Sequence, residues 1–113
     1  MRKSNLTLGY AAAIALAFIS TPTFAAHADG KCKLTNVAVD KSIYDGDCQI
    51  HQEETEYGTL ISVKLGNAES FKFAGKGDTW MHGPETVQFR DLGKGAAIFK
   101  WGDFALSAVA EQR

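Results

Sequence analysis

The sequence predicts an all-β fold: a small antiparallel barrel or sandwich of about seven to eight short strands with one disulfide. Three observations lead there. Beyond Cys32 the apolar residues alternate with polar ones over short runs, the period of a half-buried strand. Glycine-bearing stretches such as Gly66-Asn67, Gly75-Lys76-Gly77 and Gly93-Lys94-Gly95 separate those runs, as tight turns require. Cys32 and Cys48 are the only cysteines, so a single pairing within the chain is available.

Taken in order, Lys33 to Val39 reads as a first strand and Tyr44-Asp45-Gly46-Asp47 as a hairpin turn, with Asp-Gly supplying the positive φ. Cys48 to Glu53 reads as the next strand, followed by an acidic loop of Glu53, Glu54 and Glu56 that ends at Gly58. Thr59 to Leu65 is the clearest strand, with Ile61, Val63 and Leu65 on one face and Ser62 and Lys64 on the other. Glu69 to Ala74 turns Phe71 and Phe73 inward, and Gly75 to Asp78 forms a turn. Thr79 to Met81 is a short strand stopped by His82-Gly83-Pro84, and Thr86 to Asp91 places Val87 and Phe89 on one face. Ala96 to Trp101 and Phe104 to Val109 flank a Gly102-Asp103 turn, with Phe99 and Trp101 opposite Phe104 and Leu106. Phe104 to Gln112 also admits a helix, because Ala, Leu and Glu are good helix formers.

The first residues read as an address label. Arg2 and Lys3 precede an apolar run from Leu8 to Ile19, Thr21-Pro22-Thr23 breaks the helix, and Ala26-His27-Ala28 places small residues where a signal peptidase reads. The apolar run is shorter than the roughly 20 residues a membrane anchor needs. The expected organisation is a signal peptide over residues 1–28 and a single β domain over 29–113. The mature part, roughly 85 residues, is one domain with a thin hydrophobic core. Export to the periplasm or beyond means an oxidising compartment, so Cys32 and Cys48 are expected to pair.

Charge excludes one class of partner. Arg2 and Lys3 belong to the leader and all 13 acidic residues follow it, so the mature balance is about −3. A mildly acidic domain without clustered Lys and Arg does not suit nucleic acid, and no second apolar segment is long enough to cross a membrane. Weak steering toward a basic partner is what remains.

No catalytic constellation is legible, and neither a cofactor nor a metal is expected. His51 and His82 are far apart in sequence with no ligand spacing between them, and both read as surface histidines. Asp45-Gly46-Asp47 is a fragment of a calcium loop without the further oxygen ligands. Gly75-Lys76-Gly77 and Gly93-Lys94-Gly95 precede no helix, so neither is a phosphate loop. The segment Trp80-Met81-His82-Gly83-Pro84-Glu85 is the candidate for partner contact, because Trp buries a large area at low rotamer cost. Trp80, His82 and Glu85, with Arg90 and Lys94 from neighbouring hairpins, form the candidate binding set. The competing reading makes Trp80 a core residue beside Trp101 and the charged residues a solvated face.

Lys31-Cys32-Lys33-Leu34, Ile43-Tyr44-Asp45-Gly46-Asp47-Cys48 and Gly58-Thr59 resemble the opening of small uncharacterised exported proteins of Gram-negative bacteria. That resemblance implies a disulfide-clamped hairpin. Phe99-Lys100-Trp101-Gly102-Asp103-Phe104-Ala105-Leu106 is similar to the aromatic hairpin of the periplasmic and membrane-bound inhibitors of c-type lysozyme, which are small disulfide-bearing β barrels. The Ser-Gly-Ser-Gly-Ala-Arg-type loop with which those inhibitors enter the enzyme is missing here, so no binding residue carries over. The expected function is a non-catalytic periplasmic binding module, in its most specific form an inhibitor of a basic lysozyme-like enzyme. The alternative is an envelope structural or assembly factor that binds protein or peptidoglycan.

Overall fold

The structure, a computed structural model, describes residues 23–111. The leader's charged start and apolar run lie outside the described residues. Eight strands follow one another: β1 (His27–Asn36), β2 (Lys41–Thr55), β3 (Gly58–Leu65), β4 (Ser70–Lys76), β5 (Thr79–His82), β6 (Glu85–Gly93), β7 (Ala96–Trp101) and β8 (Phe104–Ala110). Each pairs antiparallel with its sequence neighbours, and β1 pairs with β8 to close a barrel. Closure removes the open edges that threaten a short β chain. Among the described residues no helix is long and apolar enough to cross a membrane.

The expected alternation is what fills the barrel. Ile61, Val63 and Leu65 of β3 are buried, as are Phe73 of β4 and Val87 of β6. Phe99 pairs with Leu106 and Trp101 with Phe104 across the last hairpin, which makes 104–110 a strand instead of a helix. Its Ala, Leu and Val residues meet β7 on one side and β1 on the other, and this tertiary pairing overrides helix propensity. Phe73, Phe99, Ile50, Ile61, Leu106 and Val63 are fully enclosed and pack the lumen with side chains. Phe73 and Phe99 stack at its centre with ring centroids 4.1 Å apart.

Cys32 and Cys48 form the disulfide, on the inward side of the first hairpin, with Cα atoms 5.8 Å apart. Such a bond is the mark of a chain that works in an oxidising, non-cytoplasmic compartment. It is set diagonally, since Cys32 pairs with Gly46 and Cys48 with Gly30.

The first hairpin corrects the sequence reading. β1 starts at His27 and ends at Asn36, and the turn falls at residues 37–40 instead of at Tyr44-Asp45-Gly46-Asp47, which lies inside β2. Asn36 nucleates the turn by accepting the Ala38 N–H at 3.0 Å, and Asp40 adopts a positive φ of 51°. Gly46 is used for closeness instead: a Cβ there would lie 3.3 Å from the Tyr44 hydroxyl. Of the later glycine loops, the one read from Gly75 to Asp78 is shorter than expected, since Gly75 and Lys76 lie inside β4 opposite Trp80 and Thr79. Gly93, Lys94 and Gly95 all have positive φ, and Gly77 does too.

Candidate interaction surface

The register sorts the barrel into two ends. One end carries the β2–β3, β4–β5 and β6–β7 turns and the start of β1; the other carries the β1–β2, β3–β4, β5–β6 and β7–β8 turns. We call the first the mouth.

The segment chosen from sequence divides between interior and surface. Trp80 pairs with Gly75 and Val87, shares their inward side, and stacks on Phe89 with centroids 4.3 Å apart. It is half-buried packing against the core. His82, two residues on, also points inward, where its ring lies 5.2 Å from Trp101 and 5.3 Å from Phe73. Its Nδ1 is 3.0 Å from the Lys72 carbonyl, placing the ring across the β4–β5 seam. Glu85, paired with His82, is exposed at the end away from the mouth. Arg90 is exposed on the outward side of β6, opposite Ile98 of β7, and Lys94 sits in the β6–β7 turn at the mouth. The five residues therefore occupy the lumen, the outer wall and both ends, although Trp80, His82, Glu85 and Arg90 all belong to the β5–β6 hairpin.

Three features escaped the sequence reading. The tip of the first hairpin exposes Val37, Val39 and Ile43, at 50%, 65% and 49%. Val37 and Val39 read as strand in the sequence and Ile43 as the approach to a turn, and the misplaced turn concealed all three. A second feature is a groove of about 870 Å³ on the outer wall, lined by His51, Ser62, Lys64, Ser70 and Lys72, with Thr23 to Ala25 and His27 to Asp29 along its side. His27 and His51 are cross-strand partners there, with rings 4.3 Å apart. Among the described residues no group of three or more His, Cys, Asp or Glu side chains is placed to hold a metal ion.

The third feature is a strap across the mouth. Phe24 is only 2% exposed and belongs to the core. Its N–H donates at 2.9 Å to Oε1 of Gln52, the buried polar side chain of β2. The Gln52 N–H donates to the Ala26 carbonyl at 3.1 Å. Thr23 donates at 3.2 Å to the Asp91 carboxylate on β6. Since β2 and β6 stand opposite in an eight-stranded ring, these contacts span the opening. No sequence signal announced this, because residues 23–28 read as the tail of a leader. Comparison of the chain with protein-family models, curated proteins and solved structures finds no match.

Proposed function

We propose that the chain is a non-catalytic binding module of the periplasm, released there from its leader, which docks on a protein partner through its turns and outer wall. The filled lumen is the observation that supports this reading. Phe73, Phe99, Ile50, Ile61, Leu106 and Val63 occupy the space in which a larger barrel would hold a small ligand. Recognition is then left to the ends and the outside. In its most specific form the partner is a basic lysozyme-like enzyme, drawn by a mature charge of about −3. The acidic β2–β3 hairpin, with Glu53, Glu54 and Glu56 exposed, offers the complementary charge. Purified released protein added to a lysozyme assay at low salt tests this form. Inhibition that rises with dose and fades with salt is expected; unchanged activity at micromolar protein removes it.

The exposed Val37, Val39 and Ile43 tip favours a second reading, an envelope assembly factor that uses an apolar hairpin as its contact. Pull-down from periplasmic extract with wild type and with Val39→Asp separates the two. Partners lost with the variant support the second reading, and identical partner sets remove the tip from consideration.

A further inference from the structure

We propose that residues 23–28 occupy, in cis, a peptide-binding site at the barrel mouth, and that processing of the leader frees this site for an extended segment of another protein carrying an aromatic side chain. The proposal rests on the reading of the chain as an exported, processed binding module.

The cleavage signal and the strap overlap. Ala26-His27-Ala28 is where the sequence places processing, yet Phe24 and Ala26 are bonded to the barrel and β1 begins at His27. A cut after Ala28 removes Phe24 from the mouth and takes two partners from Gln52: the Phe24 N–H on its side-chain oxygen and the Ala26 carbonyl on its own N–H. Gln52 is 8% exposed with the strap in place. Both groups are then left to water or to a new partner. The cut also strips His27 and Ala28 from His51 and Ile50, so the β2 backbone from Ile50 to Gln52 loses its neighbour on the β1 side. What remains is a short unpaired strand edge beside an apolar hollow the size of a phenylalanine ring. Strand addition at such an edge is a recurring mode of peptide recognition, with backbone bonds for affinity and a pocket for one side chain.

The strap describes the ligand. It is an extended segment with an aromatic residue whose N–H meets Gln52 and whose carbonyl two residues on meets the Gln52 N–H. A hydroxyl or basic residue just before the aromatic faces Asp91, as Thr23 does.

The test exports the full chain in a Gram-negative host and reads the first residue of the purified periplasmic protein by intact mass. A start beyond Phe24 is expected. Retention of Phe24 overturns this proposal and leaves the binding module standing, whereas failure of export overturns both. The released protein is then titrated with the synthetic peptide Thr-Phe-Ala-Ala-His-Ala, followed by tryptophan fluorescence and melting temperature. Saturable binding that raises the melting temperature is expected. It should weaken by about tenfold or more for the peptide carrying Phe24→Ala, the loss typical of removing a buried aromatic anchor. Gln52→Leu in the protein should weaken it similarly, with Asp91→Asn as the milder variant should Gln52→Leu fold poorly, and Gln88→Ala on the outer wall should leave it intact. No binding, or equal binding of the Phe24→Ala peptide, overturns the proposal.

Discussion

The indole of Trp80 lies directly on Gly75, its cross-strand partner, so that a Cβ placed on Gly75 would come within 2.2 Å of the ring. Phe89 stacks on Trp80 in turn, at 4.3 Å, and holds it there. Gly75→Ala is therefore expected to destabilise by about 1–3 kcal/mol, the usual cost of overpacking. Trp80→Leu introduced with it should recover part of that loss. Urea unfolding of the two single variants and the double variant measures the coupling; fully additive losses would show that the two positions do not clash.

At the centre of the barrel the Phe73–Phe99 stack gives a second expectation. Phe73 is fully buried, so Phe73→Ala should cost about 3–5 kcal/mol, enough to unfold so small a domain. Phe73→Leu keeps most of the volume and should cost less than about 1.5 kcal/mol. The midpoints of denaturant unfolding distinguish this from a surface position, at which both changes would be slight.

The Cys32–Cys48 bond closes a loop across a sequence separation of 16. Cys48→Ser should lower stability by about 3 kcal/mol on the chain-entropy account. Melting curves of wild type and variant should differ without reductant and converge when dithiothreitol is added. Coincident curves under oxidising conditions would show the bond to be without effect.

Lys31 on β1 pairs with Asp47 on β2, and its ammonium donates to the Asp47 carboxylate on the exposed wall. The hydrogen bond to Asp47, then the charge of that carboxylate, raises the Lys31 pKa above 10.5. A raised lysine pKa means that the stabilisation is complete below the unfolded-state value and disappears as pH climbs through the higher folded-state value. The difference in urea midpoint between wild type and Lys31→Met should hold steady up to about pH 10 and shrink above it. Added salt should also reduce it, because both groups are solvated. A difference that grows with alkalinity would contradict the assignment.

Most of the architecture was legible because alternation is a local signal. The inward set of β3, β4 and β6, from Ile61 and Val63 to Phe73, Val87 and Phe89, can be read two residues at a time, and closure follows once every face needs cover. The register of the last hairpin was legible for the same reason, with aromatics on both arms of a Gly-Asp turn. The first hairpin was not. Asp45-Gly46 is a strong turn signal in isolation, but an Asx turn at Asn36 and a left-handed Asp40 won, and β2 then ran straight through Gly46. The site was less legible still. Trp80 looks the same in sequence whether it meets a partner or a glycine across a strand. The bonds of Phe24 to Gln52 join residues 28 apart that share no motif.

The barrel has eight seams, and seven of them join neighbours in the chain; the eighth joins β1 to β8. A polypeptide emerging N-terminus first can form each of the seven as its second strand appears, but the first strand must wait with one side bare until the last has arrived. Gly30 to Asn36, the residues that wait, include Cys32, whose bond to Cys48 belongs to the earliest seam. The cystine thus tethers the half-made end of the chain before the ring is complete, and a nascent chain stopped short of Phe104 would present a sticky flank to its neighbours.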